Sequence, residues 1–479
     1  FPNKKADEVL EGRDAWLSPG FIDVNTDSDH YLSILDHPAQ ADFLKQGITT
    51  IIGGQEGSSL APLLYGSLES LEDWTGGSKI NIDWHTVKEF FRSFERRPLG
   101  VNFATLAGHS TIRRAIIGEH VRDMTKNEMA VFARVLTQAM DEGALGLSTD
   151  LTSVYGRHTP TPELKALAKI VSSENGVYTT KLREAQDLSL DAALDEALKV
   201  AKESGARTIL SSLMPHRKQS EIYERTLEKL ENLPNEEDVR FDVSPFESVP
   251  RPLYHLLPDW AQTGGLTDMA KNLEDEWFRN KLIKELVVPA PEDLVIARAI
   301  DNDPLVGLSL KGVMEMFDIK KPADALLKLM RTTKLRALVL HKNVDAKLIT
   351  RALAHPRSLV ASKGASVDAR FSAREGALRS EHALNTFPRF FELALSSGII
   401  PIETAIKKVT TDPALLFGLT GRGQLSEGSF ADLVGFTIDT AADGTKKVRV
   451  RFTVVNGRIA VRDEEYVGAL AGRVLRRGQ

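Results

Sequence analysis

The chain has no cysteine, which excludes disulfides, iron–sulfur clusters and thiolate zinc sites while leaving the compartment open. It has no apolar run of the roughly 18 residues that a membrane span requires, and its first residues do not show the pattern of a signal peptide. Basic residues are not in excess either. The 61 Lys and Arg stand against 66 Asp and Glu, a formal net charge of -5, and they are scattered, so nucleic acid is not an expected partner. No Gly-x-Gly-x-x-Gly or Walker-type loop is present, and no nucleotide or other cofactor is expected. What remains is 479 residues with 42% hydrophobic content, enough for one large domain plus a smaller one, or for two to three medium domains. A soluble protein of cytoplasm or periplasm is expected. The opening Phe1-Pro2-Asn3-Lys4-Lys5 reads as the middle of a domain, so a preceding segment is expected as well.

One stretch organises the rest. Pro19 and Gly20 end a turn, and Phe21, Ile22 and Val24 form a short apolar run of the kind that a buried parallel strand carries. Asn25 and Asp27 follow at its carboxyl end. Spaced i, i+2 on a strand, they point to the same face. In a parallel barrel that end is where chemistry is done.

Strand-like runs recur, each followed by a helical period: Phe21 to Asn25, Thr49 to Gly54, Val101 to Gly108, Ala144 to Thr149, Val177 to Lys181, Thr208 to Leu213, Val239 to Phe246 and Leu359 to Lys363. Eight such units predict an α/β fold, a (β/α)8 TIM-type barrel over 19–405, with a helical insertion at about 250–330. A ninth run, Leu335 to Lys342, is assigned to the insertion or to an accessory strand. Thr125 and Glu128 form a capping box ahead of an apolar helical face. After residue 405 the pattern turns to short alternating strands, and Asn456-Gly457 is a two-residue hairpin turn. Residues 1–18 and 406–479 are expected to form a small, discontinuous β-sandwich domain.

Pro19-Gly-Phe-Ile-Asp-Val24 followed by x-Thr-x resembles the first barrel strand of the amidohydrolase superfamily. Further segments resemble its D-aminoacylase (N-acyl-D-amino-acid deacylase) family nearly end to end: Gln46-Gly-Ile-Thr-Thr-Ile-Ile52, Leu106-Ala-Gly-His-Ser110, Gly143-Ala-Leu-Gly-Leu-Ser-Thr149, Asp242-Val-Ser-Pro245, Asn385-Thr-Phe-Pro-Arg389 and Val455-Asn-Gly-Arg458. The resemblance implies a metal-dependent barrel that hydrolyses the amide of an N-acyl-D-amino acid.

Carried over position by position, the resemblance fails at the metal. The family's two strand-1 histidines fall on Asn25 and Asp27, its strand-2 cysteine on Glu56, its strand-5 histidine on Lys181, its strand-6 histidine on Ser212 and its strand-8 catalytic aspartate on Lys363. Arg183 keeps the family's arginine, while Glu184 and Ala185 stand where its following glutamate is sought. The substrate-contacting lysine is Met214. Aromatic pocket positions have become Ser244 and Phe246, and a substrate-site His-Pro-Arg reads Ser380-Glu-His382.

A catalytic zinc needs about three N, O or S ligands at roughly 2.0–2.3 Å plus an open position. An ammonium offers no lone pair and repels a dication. Asn25, Asp27, Glu56, Lys181, Ser212 and Lys363 are therefore read as vestigial metal-centre positions, with no metal, in which Glu56 and Asp27 face Lys181 and Lys363 as a buried ion-pair network. Three functions stand. The first is a catalytically inactive structural or regulatory subunit, in an assembly with itself or with a protein partner. The second is a metal-independent enzyme in which Lys181 or Lys363, with Glu56, acts on a small amide or carbonyl substrate. The third is a binding protein that keeps a small-molecule ligand in the barrel mouth. His109, in the retained Gly-His-Ser, is read as structural, and His30, His37, His158, His216, His341 and His355 as surface or core residues that do not cluster.

Overall fold

Short, apolar, fully buried strands dominate the first 360 residues, which is the pattern a parallel sheet covered on both faces imposes. The computed structural model describes residues 8–64, 82–120, 122–183, 189–367 and 377–478. Strand β1 (Trp16–Pro19) belongs to a separate sheet described below. The barrel begins with β2 (Phe21–Asp23) and continues through β3 (Ile48–Gly53), the broken stave β4 (Asn102–Thr105) and β5 (Ala107–Gly108), β6 (Gly146–Asp150), β7 (Val177–Lys181), β8 (Arg207–Ser211) and β9 (Val239–Val243). The chain then leaves for an excursion containing β10 (Ser248–Pro252), β11 (Leu294–Arg298) and β12 (Leu338–Lys342), and returns as the eighth stave, β13 (Ser358–Val360).

All the ladders between staves are parallel. Where β4 breaks, Leu106 N–H donates to Gly53 O (3.0 Å) and Leu145 N–H to Thr105 O (2.9 Å), so the sheet continues across the break. The eighth and first staves are joined beyond their strand ends. Lys363 N–H donates to Asn25 O (3.0 Å), Asp27 N–H to Gly364 O (2.9 Å), and Ser362 N–H to the Asp23 carboxylate (3.0 Å).

Inside the barrel, Ile22, Ile52, Ala104, Leu145, Ile209 and Leu359 form one buried cluster, closed below by Leu416, Phe417 and Leu475. That apolar lower half leaves the upper half for polar groups. Outside, helices such as Lys126–Asp141 pack on the staves. The Thr125 hydroxyl accepts from Glu128 N–H, and the Glu128 carboxylate accepts from Thr125 N–H, so the capping box is made.

The excursion differs from the helical insertion expected over about 250–330. Its helices surround a three-stranded antiparallel sheet, ordered β10-β12-β11, with its own buried core around Leu253, Leu294, Ile296, Leu326 and Val339. The strand β10 carries Pro250 and Pro252, which argue against a strand in sequence and are tolerated here because β10 is an edge.

After the helices Ile402–Val409 and Thr411–Phe417 come β14 (Leu433–Thr440), β15 (Lys446–Val455), β16 (Arg458–Arg462) and β17 (Glu465–Tyr466). They join β1 in a five-stranded antiparallel sheet, β1-β14-β15-β16-β17. Asn456 and Gly457 turn β15 into β16 with φ of 47° and 81°, the left-handed pair that such a hairpin requires. The fold is a TIM barrel with a small β domain. The position 405/406 falls inside the helix Ile402–Val409, which packs on β13.

Candidate functional site

At the carboxyl ends of the staves the six positions Asn25, Asp27, Glu56, Lys181, Ser212 and Lys363 converge. Glu56 sits at the centre. Its Oε1 lies 2.6 Å from Lys363 Nζ and accepts from Ser212 Oγ at 2.9 Å, while Oε2 lies 3.5 Å from Lys181 Nζ. Lys363 Nζ also lies 3.7 Å from Asp27 Oδ1 and donates to Asn25 Oδ1 at 3.4 Å. The Asn25 amide in turn donates to Ser211 Oγ (2.9 Å) and to Asp242 Oδ2 (3.2 Å). Lys363 and Glu56 are each 8% exposed, and the Lys181 side chain 19%.

Backbone geometry at these stave ends is unusual. Glu56, Ser212 and Lys363 have φ of 48°, 54° and 53°, a left-handed conformation that costs a residue with a side chain on the order of 1–2 kcal/mol. It persists where surrounding contacts fix it. Here it turns the three side chains inward at the ends of staves two, six and eight.

The charges hold one another. Burial alone pushes the Glu56 carboxyl up, but Lys181 and Lys363 outweigh it and keep the group well below the usual carboxylate range. Burial likewise opposes the charge on Lys363, yet Asp27 and Glu56 raise its pKa above the ordinary lysine value. Asp27 is pushed up by burial and brought below its ordinary value by Lys363 and His30. One level down, burial pushes Asp23 up to about 7, although Ser362 donates to it through both N–H and hydroxyl.

Tyr31, Asp150 and Arg298 also belong to this region and were not singled out from the sequence, and His30, read there as a residue that does not cluster, is a core residue that joins the charge cluster. His30 is buried with Nδ1 3.3 Å from Asp27 Oδ1, and Asp29 and Asp27 raise it against burial to about 9. Its three-residue spacing from Asp27 was the available signal. Asp150 ends β6, directly after the retained Ser-Thr. Arg298 comes from β11 and lies over the Tyr31 ring at 4.6 Å; nothing in a linear reading of the excursion places it there. Two cavities of ≈ 50 Å³ each flank this pair. One reaches Glu56, Ser110 and Asp150, the other Lys363 and Ser380, and Leu338 of the excursion borders both.

Other sequence candidates lie apart from the charges or fill space. Arg183 turns toward the helix Leu190–Ser204, where it meets Glu196 at 2.9 and 3.0 Å and donates to Thr159 O at 2.8 Å. Glu184 and Ala185 lie outside the described residues. Phe246 packs on the His382 ring (centroids 4.4 Å apart), and His382 is fixed by Ser362 O (2.9 Å) and Ser248 O (3.1 Å). The hydroxyl of Ser244 has no hydrogen-bond partner, while its N–H meets Met214 Sδ at 3.5 Å. His109 contacts Glu163 at 2.8 Å, beside Arg113, between two outer helices. Among the described residues, no three His, Asp or Glu side chains are grouped as a metal ion would require, and no helix is long and apolar enough to cross a membrane.

Comparisons with known proteins point one way. Residues 366–461 match the family model described as "Amidohydrolase family". The chain is 28% identical over 475 residues to a D-aminoacylase of Alcaligenes xylosoxydans xylosoxydans, covering 96% of this chain and 87% of that protein. It is 28% identical over 481 residues to an N-acyl-D-aspartate deacylase of the same organism, covering 98% and 87%. A crystal structure of D-aminoacylase superposes with a TM-score of 0.75 at 24% identity, covering 97% of this chain and 90% of that one, a likeness of fold.

Proposed function

Because the chain belongs to the D-aminoacylase-like family of the amidohydrolase superfamily, we propose that it is a member whose metal centre has been replaced by an internal ion-pair network and whose hydrolase activity is lost. The observation that carries this reading is Lys363 Nζ, 2.6 Å from Glu56 and 3.7 Å from Asp27. Two carboxylates shared with two ammonium groups do not fit a dication, which needs about three unprotonated donors around it. A buried ion is also costly unless its charge and lone pairs are met, and here Lys181, Ser212 and Asn25 meet them.

The same geometry speaks against lysine chemistry at Lys363. A nucleophilic or basic lysine must lose its proton near neutral pH, and Asp27 and Glu56 hold this one charged. The role that follows is structural or regulatory, as a subunit of an assembly with itself or with a protein partner. Elemental analysis of the purified protein, with an assay on N-acetyl-D-amino acids in added zinc, tests the reading. We expect no stoichiometric metal and no turnover. One zinc per chain, or zinc-dependent release of acetate, would defeat it.

A second reading, that the mouth binds a small ligand without turning it over, is favoured by a separate observation. The Ser110 and Tyr31 hydroxyls at the cavity beside Glu56 are buried without a hydrogen-bond partner, and buried polar groups are rarely left so.

A further inference from the structure

We propose that the cavity bordered by Ser110, Tyr31 and Arg298 is a binding site for a small oxyanion of about carboxylate size. The inference rests on the ligand-binding reading and names its chemistry.

Ser110 is 5% exposed, and its Oγ borders the cavity without a partner. It lies in the first turn of the helix His109–Ile117, whose N-cap is Gly108 and which has no side-chain cap. A helix N-terminus carries partial positive charge and collects anions. The Tyr31 Oη, equally unpartnered, borders the same cavity. Both hydroxyls can donate. Arg298, over the Tyr31 ring, supplies formal positive charge, and Arg114 and Arg336 stand on the same wall, the former paired with Glu119 at 2.7 Å.

Two carboxylates also border the space, and each is already answered. Glu56 is held by Lys363, Lys181 and Ser212. Asp150 accepts from the N–H and hydroxyl of Thr152 (2.8 and 2.7 Å), and burial pushes its carboxyl up while the charge of Lys181 pulls it down. A volume of ≈ 50 Å³ admits a ligand of few heavy atoms.

The test titrates the whole chain with acetate and, separately, with inorganic phosphate. Ionic strength is kept constant with chloride, and the thermal midpoint and calorimetric heat are followed before and after dialysis against EDTA. Saturable binding of either anion is expected, unaffected by EDTA and weakened about tenfold in Ser110→Ala and in Tyr31→Phe, the loss that one hydrogen bond to a charged group predicts. The two variants lie on different elements, so misfolding of one leaves the other to decide. Absence of saturable binding by both anions, an affinity in both variants unchanged from that of the parent, or binding abolished by EDTA would overturn the site. A stoichiometric zinc accompanied by EDTA-insensitive anion binding would overturn the metal-free reading and leave this one standing.

Discussion

Replacing Lys363 with methionine removes one ammonium and keeps most of the side-chain volume. Glu56 then loses its 2.6 Å partner and Asp27 its 3.7 Å partner, leaving two buried carboxylates to share Lys181 and His30. Breaking a buried pair from one side costs about 3–5 kcal/mol, and that is the destabilisation expected at pH 7, read as a lower urea midpoint at unchanged slope. The pH dependence identifies the cause. In the parent, Glu56 and Asp27 are held below their ordinary values, so their contribution is present above the unfolded carboxyl pKa, about 4, and is lost as pH falls through the folded values. In the variant, a carboxyl without its cation is raised, and its folded form is favoured below about pH 4 and disfavoured as pH rises. The gap between the two proteins should therefore be widest at neutral pH and narrow toward pH 4. Adding Glu56→Gln to the variant should recover much of the loss. A gap under about 1 kcal/mol, or one constant between pH 4 and 7, would refute the charge network as the element that holds the mouth together.

Other outcomes are equally specific. Asp23→Asn keeps an acceptor for Ser362 and removes a carboxyl whose folded pKa, about 7, lies above the unfolded value. The parent's stability from this group is full below about pH 4 and lost as pH rises through 7, so the variant's urea midpoint should gain on the parent between pH 5 and 8, and parallel profiles would contradict the burial of that charge. Returning the six positions to the family pattern, with Asn25→His, Asp27→His, Glu56→Cys, Lys181→His, Ser212→His and Lys363→Asp together, should create a chain that carries about one zinc by elemental analysis where the parent is expected to carry none. A refolded variant without zinc would mean that more than the ligands has changed.

The staves were legible because a parallel sheet buried on both faces writes itself as apolar runs, and Val177 to Lys181 coincides with its strand to the residue. The stave-end residues were legible through resemblance, since Asn25, Glu56 and Lys363 stand at marked places in recognisable motifs. Distances were beyond the sequence. That Lys363 meets Glu56 and Asp27 depends on left-handed backbone at Glu56 and Lys363, which neither residue type favours. His30 was read as a histidine outside any cluster because its three-residue spacing from Asp27 is a weak sign where no regular helix or strand fixes which way the two side chains point. Arg298 and the edge strand β10 were unreadable for a topological reason: prolines mask the strand, and its neighbour β12 lies some ninety residues on in the chain.

The joint between the first and last staves is made by Asp23, Asn25, Asp27, Ser362, Lys363 and Gly364, several of which also carry the charge cluster. These residues, at the end of the barrel where chemistry is done, thus fasten the cylinder shut. A catalytic group has to shed and regain protons on every cycle, whereas a fastening must keep them, and Lys363 is set to keep its own. Change at the mouth of this protein is therefore expected to register first as a looser barrel, and only afterwards as any difference in what it binds.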